Sequence, residues 1–397
     1  MEVGYQSPAI AVIGNHLPRQ CGIATFTTDL CEALAAEGSG TECIVIAVTD
    51  TEEGYKYPPA VRFELVESNP ESYLQAASFL NVSGANIVSL QHEYGIFGGP
   101  DGSYIIPLLE RLRIPVVTTL HTVLERPSKG QYDVLKQIAA LSSRLIVMTQ
   151  RSVDILTREY DIPHGQIDFI PHGVLDTPFL EPDDGKKALG FEGKKLLLTS
   201  GLLSPNKGIE HVIDAMPRIL KRHPNAMYVV LGSTHPNVKR NAKEGYRDSL
   251  VELARELGVL QHVYFHNAFV DRKEFGDFMD AADIFITPYN SAGQAVSGVL
   301  SQALGTGKAI ISTPYLYAKE MLSHGRGILV RFHNSRAIAR EVIDLLNHPF
   351  RSMKLRHAAY EAGREMIWSR VARAYFVSFQ RALATVRNTG RIPQWTK

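Results

Sequence analysis

Short apolar runs alternate with helical patterns along almost the whole sequence, beginning with Ala-Ile-Ala-Val-Ile-Gly at 9–14. Runs of this length with many β-branched residues are typical of buried parallel strands, and helical patterns between them are typical of crossover connections. The alternation predicts an α/β fold with doubly wound parallel sheets. The predicted strands lie at 9–14, 43–48, 87–90, 116–120, 145–148 and 167–170, and then at 195–200, 227–231, 263–266, 283–287, 308–312 and 327–330.

The alternation is interrupted between Leu175 and Lys195, where prolines, acidic residues, a glycine and two lysine pairs replace it. We interpret this stretch as a linker and hinge. A chain of 397 residues also exceeds what one hydrophobic core usually serves. The sequence therefore predicts two Rossmann-like domains, at 1–180 and 181–365, followed by a C-terminal helix within 366–397.

Composition argues against several other classes of protein. The net charge is +1, with 42 basic and 41 acidic side chains, which gives no reason to expect a nucleic-acid partner. The three cysteines are odd in number and lack metal-ligand spacing, so we expect a cytoplasmic protein without a metal site. No uncharged apolar run approaches the roughly 20 residues that span a bilayer, although peripheral membrane contact stays open.

The stretch from Thr287 to Pro314 combines a strand end, a loop, a short helix and a further strand. Ser297 is a good N-cap for the helix, and Gly305 and Gly307 can end it. A helix N-terminus beyond the carboxyl end of a parallel strand offers free N–H groups to an anion. We therefore predict a phosphate-bearing ligand beside Ser297 and Gly298.

A second candidate phosphate site is Ser-Gly-Leu-Leu-Ser-Pro-Asn-Lys-Gly at 200–208, directly after a predicted strand. We expect Lys207 to lie in the first turn of the next helix, where its charge opposes the helix dipole unless an anion is bound. The position therefore favours a functional lysine. The alternative is a solvated lysine at a helix start.

Two strands of the first series end in polar and aromatic residues. Thr-Thr-Leu-His-Thr places His121 at the carboxyl end of one strand, and Gln-His-Glu-Tyr-Gly follows another. Because aromatic faces suit sugar rings and carboxylates suit hydroxyls, we predict that His92, Glu93 and Tyr94 contact a sugar or acceptor. The alternatives are a hydrogen-bonded structural histidine and a turn stabilised by glycines.

The layout of these segments resembles the retaining glycosyltransferases of the GT-B fold, in particular family 4 (glycosyl transferases group 1). That family carries a Glu, seven residues and a second Glu where this sequence has Gln294 and Gln302, so both carboxylates are amides here. It carries Gly-Arg-Leu-x-x-x-Lys-Gly where this sequence has Gly201 and Lys207, with Leu202 in place of the arginine.

The resemblance implies two Rossmann-like domains that face each other across a cleft, with the acceptor on the first, the donor on the second and the last helix returning to the first. It implies that His121 orients the donor sugar and that Lys207 stabilises the leaving phosphate, so these two carry catalysis. The positions assigned to the donor and its phosphates are Gly22, Gly201, Asn206, Lys207, Gln294, Ser297, Gly298 and Gln302. Arg19, in the loop that leads to Gly22, can add positive charge, although a plain βα turn explains this loop equally well.

The implied reaction transfers a hexose, with mannose and glucose as candidates, from a nucleotide-sugar to the hydroxyl of a carbohydrate or small-molecule acceptor, with retention of the anomeric configuration. No cofactor is expected, because the nucleotide-sugar is a substrate. The residues at Leu202, Gln294 and Gln302 leave two alternatives open. One is a glycoside phosphorylase on the same fold, and the other is a sugar-binding protein without catalysis.

Overall fold

The computed structural model describes residues 8–38, 41–234 and 244–389, and the chain divides into two compact units. The first unit comprises Met1–Gly173 together with Trp368–Lys397, and the second comprises Val174–Ile367. The first unit is therefore discontinuous in sequence, whereas the second is one continuous segment. The boundaries predicted from the sequence, at 180/181 and 365/366, lie a few residues away from these.

The first unit contains a seven-stranded parallel sheet. Its strands are β1 (Ile10–Gly14), β2 (Cys43–Thr49), β3 (Val61–Val66), β4 (Ile87–His92), β5 (Val116–Leu120), β6 (Arg144–Val147) and β7 (Ile167–Phe169). They lie in the order β3-β2-β1-β4-β5-β6-β7, so the strand order reverses between β1 and β4. Strands β1, β4 and β5 are buried along their whole length, as expected of a parallel sheet covered on both faces.

Five helices of the first unit follow strands of this sheet or loops beside it. They are α1 (Gly22–Glu37), α2 (Pro70–Val82), α3 (Ile105–Arg111), α4 (Lys129–Leu141) and α5 (Gln150–Glu159). Their starts carry typical caps: Asn69 caps α2, Thr149 caps α5, and Ser128 forms a capping box with Gln131 at α4. The apolar faces of α2, α3, α4 and α5 and one face of the sheet share one hydrophobic core.

The C-terminal helix (Trp368–Thr389) completes the first unit by packing against α1. Its Tyr375 hydroxyl lies 2.8 Å from the hydroxyl of Thr119 in β5. Asp168 in β7 accepts hydrogen bonds from Ser378 Oγ at 2.8 Å and from Arg381 Nη1 at 2.9 Å. A helix that is distant in sequence is thus bound to two strands of this sheet.

The second unit contains a six-stranded parallel sheet. Its strands are β8 (Lys195–Ser200), β9 (Ala226–Leu231), β10 (Val263–His266), β11 (Ile284–Thr287), β12 (Ala309–Ser312) and β13 (Ile328–Leu329). Their order is β10-β9-β8-β11-β12-β13, with a reversal between β8 and β11. Among the described residues of this unit, the helices are α6 (Pro182–Leu189), α7 (Ile209–Ile213), α8 (Met216–Leu220), α9 (Gly245–Glu256), α10 (Arg272–Ala281), α11 (Gly298–Gly305), α12 (Leu316–Met321), α13 (Ser335–Asn347) and α14 (Pro349–Arg364).

The linker predicted between Leu175 and Lys195 is wrong in its middle part, because helix α6 lies there and packs against α10. The Lys186 side chain in α6 is buried. Its ammonium lies 2.8 Å from an oxygen of Asp183 and 2.8 Å from an oxygen of Asp283. Two carboxylates compensate the buried charge, which explains how a charged, proline-rich segment is ordered.

The predicted α/β class with doubly wound parallel sheets is confirmed. Strand β3 was not predicted, because its residues Val-Arg-Phe-Glu-Leu-Val alternate between apolar and charged side chains. This pattern arises because β3 is the edge strand of its sheet and is partly exposed. Within the described ranges, no helix is long and apolar enough to span a membrane.

Candidate active site

Each sheet has one position where the strand order reverses, and open parallel sheets bind ligands beyond the carboxyl ends of strands at such positions. In the first unit the reversal lies between β1 and β4, which end at Gly14 and His92. In the second unit it lies between β8 and β11, which end at Ser200 and Thr287. The predicted site residues lie at the ends of β1, β4, β5, β8 and β11 or on the segments that follow them.

The loop after β1 ends in a cap for helix α1. The Sγ of Cys21 accepts hydrogen bonds from the Ala24 N–H at 3.3 Å and from Asn15 Nδ2 at 3.2 Å. Gly22 is the first helical residue, and a Cβ at this position would meet no atom within 4 Å. The first turn of α1 is therefore open at Gly22. The predicted phosphate contact needs such an opening and remains a prediction.

Arg19, in the same loop, is bound to other parts of the first unit. Its Nη1 donates to the Val48 carbonyl at 2.9 Å, and its Nη2 lies 3.4 Å from a carboxylate oxygen of Asp50 and 3.4 Å from one of Glu67. Two carboxylates thus compensate the charge that the sequence analysis assigned to a phosphate. The geometry favours a different role, in which Arg19 holds the loop after β1 to the ends of β2 and β3.

His121 lies directly after β5 and is 8% exposed. Its Nε2 lies 3.1 Å from Oε1 of Gln91, and Gln91 Nε2 donates to Ser89 Oγ at 3.1 Å. Burial, followed by the nearby His172 and His92, lowers the pKa of His121 to about 3. The imidazole is therefore neutral at physiological pH, and it can form hydrogen bonds with a ligand without carrying a positive charge.

An aromatic cluster surrounds His121. The Phe26 ring in α1 makes edge contacts with the rings of His121, His172 and Trp368, at centroid distances of 4.8, 5.0 and 5.2 Å. Burial lowers the pKa of His172 to about 4, although a hydrogen bond with the Gly173 carbonyl opposes this shift. A Cβ at Gly173 would lie 2.2 Å from the Trp368 ring. The first residue of the C-terminal helix therefore packs against Phe26, the ring that contacts His121.

The structure buries two of the three residues predicted to contact a sugar. The His92 ring lies against Tyr94 and Phe97, at centroid distances of 5.1 and 6.1 Å, and burial lowers its pKa to about 4. Tyr94 belongs to the hydrophobic core, and its hydroxyl donates to the Gln131 carbonyl at 3.2 Å. Both rings face the interior of the unit, which does not favour a contact with a sugar, and the predicted contacts of His92 and Tyr94 remain predictions.

Glu93, the third of these residues, caps the short 3₁₀ turn that follows β4. Its Oε1 accepts from the Tyr94 N–H at 3.0 Å, and its Oε2 accepts from the Thr122 hydroxyl at 2.5 Å. Burial raises the pKa of Glu93, and these two hydrogen bonds oppose the shift. Glu93 thus ties the turn after β4 to the residue that follows His121, and its sugar contact remains a prediction.

Several buried polar atoms around the β1–β4 reversal lack a hydrogen-bond partner within the described residues. They are Asn15 Oδ1, Thr27 Oγ1, His92 Nδ1 and His92 Nε2. The end of β1 is also crowded, since a Cβ at Gly14 would lie 2.9 Å from Gln91 Cβ and 3.3 Å from Thr27 Oγ1. An unpaired buried polar group is unfavourable by about 1–3 kcal/mol. These unpaired atoms are therefore an unfavourable feature of the fold at the β1–β4 reversal.

Two glycines shape the end of β8 in the second unit. Gly201 and Gly232 have φ angles of +125° and +145°, which side chains with a Cβ rarely allow. A Cβ at Gly232 would lie 2.2 Å from the Gly201 carbonyl oxygen, and a Cβ at Gly201 would lie 3.4 Å from Lys207 Nζ. Lys207 thus folds back over the end of β8, and Gly201 keeps space beside its ammonium.

Lys207 ends the 3₁₀ turn Pro205–Lys207 and does not lie in the first turn of α7, as the sequence analysis expected. Gly208, with a φ angle of +62°, separates the two elements, so Lys207 is not opposed by the dipole of α7 as predicted. The Nζ of Lys207 donates to the Tyr289 hydroxyl at 2.9 Å and lies 4.1 Å from the centroid of that ring. An ammonium has three donors, so two remain for an anion.

Asn206 joins the loop after β8 to the loop after β11. Its carbonyl accepts from the Asn290 N–H at 2.9 Å, and Asn290 Nδ2 donates to the neighbouring Pro205 carbonyl at 2.8 Å. Asn206 therefore binds Asn290 through its backbone. A side-chain contact between Asn206 and a donor remains a prediction.

Helix α11 begins as the sequence analysis predicted. Ser297 is its N-cap, with Oγ accepting from the Leu300 N–H at 3.4 Å, and Gly298 is its first residue. Gln294 lies in the preceding loop, where its Nε2 donates to the Val296 carbonyl at 2.9 Å. The amide of Gln294 therefore stabilises the approach to the helix start that is predicted to face a phosphate.

Gln302 contacts the beginning of the second unit through its side chain. Its Oε1 accepts from the Leu175 N–H at 3.2 Å. The corresponding Glu of the resembled family grips ribose hydroxyls, whereas here the amide oxygen binds main chain. A ribose contact through this oxygen therefore requires that it share or replace the bond to Leu175.

Three residues that the sequence analysis did not select also shape these strand ends. Gln91 contacts His121, Tyr289 contacts Lys207, and Asn290 contacts the Lys207 loop. Their position at or just after the carboxyl ends of β4 and β11, beside predicted site residues, could have identified them from the sequence. Within the described residues, no group of three or more His, Cys, Asp or Glu side chains is arranged to hold a metal ion.

Two family models match the chain. The model described as Glycosyltransferase Family 4 matches residues 21–176, and the model described as Glycosyl transferases group 1 matches residues 182–366. This chain belongs to the family 4, group 1 glycosyltransferases. The resemblance drawn from the spacing of Gly201, Lys207, Gln294 and Gln302 is thereby confirmed at the level of the family.

This chain is 28% identical over 248 residues to the D-inositol 3-phosphate glycosyltransferase of Streptomyces avermitilis. That match covers 60% of this chain and 52% of the relative, so it spans about half of the relative's length.

Among solved structures, sucrose-phosphate synthase from Thermosynechococcus elongatus matches with a TM-score of 0.76 and 18% identity, covering 95% of this chain and all (100%) of that one. HepE from Anabaena, in complex with UDP, matches with a TM-score of 0.73 and 16% identity, covering 94% and 99%. At these identities the structural matches establish the GT-B fold alone.

Proposed function

We propose that this glycosyltransferase moves a hexosyl group, with mannose and glucose as candidates, from a nucleotide-sugar to an acceptor hydroxyl with retention of the anomeric configuration. The observation that carries the proposal is the position of Lys207. Its ammonium lies beside Gly201 at the strand-order reversal of the second unit and donates to Tyr289, which leaves two donors for a phosphate. HepE, which shares the fold, has been solved with UDP and with UDP-glucose.

In the second unit, Lys207 and the free N–H groups at the start of α11 would bind the diphosphate of the donor. A lysine ammonium and a helix N-terminus both favour negative charge. Gln294 and Gln302 would accept hydrogen bonds from donor hydroxyls through their amide oxygens. Such bonds are weaker than those to a carboxylate by roughly a factor of two, so this donor site depends more on its phosphate contacts.

In the first unit, His121 would orient the donor sugar. Its neutral ring can form a hydrogen bond with a sugar hydroxyl without placing a positive charge beside an oxocarbenium-like transition state. The family resemblance adds that the backbone carbonyl at this position helps to stabilise that transition state. Gln91 and Glu93 hold the ring and the following residue in place.

During transfer, the bond between the anomeric carbon and the donor phosphate oxygen breaks, and the acceptor oxygen bonds to the same carbon on the same face. The acceptor hydroxyl gives its proton to the leaving phosphate. Lys207 stabilises the negative charge that develops on this phosphate, which is electrostatic catalysis at a preorganised site.

A ligand panel tests the proposal directly. UDP, GDP, ADP, UDP-glucose, GDP-mannose and inorganic phosphate are each added to the full chain, and thermal unfolding is followed. A ligand at 100 times its dissociation constant stabilises a fold by about 2.7 kcal/mol. One nucleotide should stabilise the wild type and the control variant Lys221→Ala, which changes an exposed lysine of the second unit, but not Lys207→Ala.

The nucleotide-sugar that stabilises the protein is then incubated with sugar acceptors, and the configuration of the product is read by NMR. The same anomeric configuration in donor and product is expected, and an inverted product would contradict the proposed retention. Stabilisation by phosphate alone, together with phosphate-dependent breakdown of a disaccharide, would replace the transferase proposal with a phosphorylase.

A further inference from the structure

We infer that Tyr289 and Asn290 are positioning residues that hold Lys207 ready for an anion. Both follow β11, the strand that neighbours β8 at the strand-order reversal. Their contacts with Lys207 and its loop do not depend on which anion binds. The identity of the anion, a nucleoside diphosphate, rests on the proposed function.

Asn290 binds the Lys207 loop through its backbone and its side chain. Its N–H donates to the Asn206 carbonyl at 2.9 Å, and its Nδ2 donates to the Pro205 carbonyl at 2.8 Å. Its Nδ2 also lies 3.2 Å from a carboxylate oxygen of Glu210, in the helix that follows the loop. Asn290 thus connects the segment after β11 to Pro205 and Asn206, directly before Lys207, and to Glu210, which follows it.

The orientation of the Asn290 amide is determined by its partners. A proline carbonyl can only accept, so Nδ2 faces Pro205 and Oδ1 faces His211 Nε2, at 3.1 Å. His211 Nε2 also lies 3.0 Å from His333 Nδ1. The proline carbonyl therefore gives the Asn290 amide one orientation in this clamp.

Tyr289 holds the ammonium itself. Its side chain is 1% exposed and stacks on Tyr315, with 5.0 Å between the ring centroids. The Tyr315 hydroxyl donates to Thr287 Oγ1 at 3.3 Å, so both rings are fixed. The Tyr289 hydroxyl accepts a hydrogen bond from Lys207 Nζ at 2.9 Å.

These contacts restrict a side chain that is otherwise flexible. A free lysine samples many rotamers, and an anion that binds it must restrict them. Tyr289 and Asn290 impose most of this restriction before the ligand arrives, and such preorganisation increases affinity. Tyr289 and Asn290 therefore affect the binding of the ligand through Lys207 and do not contact the ligand themselves.

The first experiment measures amide hydrogen exchange of the ligand-free full chain in a peptide that covers residues 201–210. Asn290→Ala should speed exchange in this peptide by roughly five- to tenfold, because the loop loses a clamp. The matched control is Asn225→Ala, which also removes an asparagine-to-carbonyl bond in the second unit, to Gly193 at 2.7 Å. The control should leave this peptide unchanged. Equal exchange in the two variants would overturn the role of Asn290.

The second experiment measures the affinities of UDP, GDP and ADP by calorimetry. Tyr289→Phe keeps the buried ring and removes the hydroxyl. It should lower the affinity for the nucleotide that binds by roughly fivefold. Tyr360→Phe is the control, because its hydroxyl donates to the Thr177 carbonyl at 2.9 Å, outside the Lys207 loop and the segment after β11. In a Lys207→Ala background, Tyr289→Phe should have no further effect, since its action passes through the lysine.

The outcomes separate the two proposals. If exchange responds to Asn290→Ala but none of the three nucleotides binds the wild type, the positioning of the loop stands and the proposed donor class fails. The proposed function stands if a nucleotide binds and Lys207→Ala lowers its affinity. The role of Tyr289 is nevertheless overturned if Tyr289→Phe leaves that affinity unchanged, or lowers it by the same factor in the Lys207→Ala background as in the wild type.

Discussion

Nε2 of His121 and Oε1 of Gln91 lie 3.1 Å apart at the carboxyl ends of neighbouring strands. The Gln91 amide also donates to Ser89 Oγ, which turns its oxygen towards the imidazole. In this orientation the neutral ring carries its proton on Nε2, and Nδ1 is an acceptor. A sugar hydroxyl that meets Nδ1 must then be the donor of that hydrogen bond.

Replacing Gln91 with leucine should therefore impair the proposed transfer. Gln91→Leu removes the acceptor that selects the tautomer of His121, and we expect kcat/KM to fall roughly tenfold, about 1.4 kcal/mol. The His121 signal in an NMR spectrum of histidine nitrogens should change from one tautomer to a mixture. Gln166→Leu is the control, because this buried glutamine donates to two carbonyls away from His121. An unchanged tautomer in Gln91→Leu would contradict the role of Gln91.

Acid should destabilise the first unit. The folded pKa values of His92, His121 and His172 are about 4, 3 and 4, below the unfolded value of about 6.5, because the rings are buried. Below pH 6.5 the unfolded chain binds more protons than the folded one. Stability is therefore complete above about pH 6.5, and it falls with decreasing pH towards these lower values by up to about 1.4 kcal/mol per pH unit for each histidine.

Urea unfolding at several pH values measures this dependence, and His92→Leu assigns it. In this variant the free energy of unfolding should depend less steeply on pH, by up to about 1.4 kcal/mol per pH unit, because one buried histidine is missing. The substitution should be nearly neutral at pH 7.5, because the ring nitrogens of His92 lack partners within the described residues. A pH dependence identical to that of the wild type would show that His92 does not titrate with folding.

Gly208→Ala should be more harmful than Gly190→Ala. Both glycines have left-handed φ angles, +62° and +73°, so each substitution is unfavourable by about 1 kcal/mol from the backbone alone. A Cβ at Gly208 would also lie 2.1 Å from the Pro288 carbonyl oxygen, whereas at Gly190 it would meet no atom within 4 Å. Urea unfolding should show the larger loss for Gly208→Ala, together with loss of nucleotide binding. Equal losses would mean that the Lys207 loop relaxes without difficulty.

Asp168→Asn should loosen the C-terminal helix. Burial raises the pKa of Asp168, but hydrogen bonds from Arg144 and Ser378 outweigh this effect and leave the pKa below its usual value. The carboxylate therefore stabilises the fold above about pH 4 and ceases to do so in stronger acid. We expect a loss of about 2 kcal/mol at pH 7 by urea unfolding. Asp133→Asn, which breaks only an exposed ion pair, should lose less than about 0.5 kcal/mol.

The sequence predicted most of the fold because buried parallel strands are continuous apolar runs. It missed β3, an edge strand with a mixed pattern, and it interpreted α6 as a linker because the acidic partner of Lys186, Asp283, is far away in sequence. Local pattern cannot show such a partner.

The candidate site was predicted less completely than the fold. The strand ends pointed to His121 and Lys207, since position in a parallel sheet follows from strand order. The burial of His92 and Tyr94 and the ion pairs of Arg19 depend on the packing of several elements, and side-chain type alone favoured the opposite interpretation. Tyr289 and Asn290 were overlooked because their role depends on the neighbouring strand.

The division of the chain at Gly173 and Trp368 has a consequence for synthesis on the ribosome. Residues 1–173 emerge before the second unit, but they lack the helix that packs against α1 and binds β5 and β7. The second unit, a continuous segment with its own apolar cores, emerges complete before that helix is made. Since domains fold as units during translation, the first unit starts to be translated before the second but finishes folding after it.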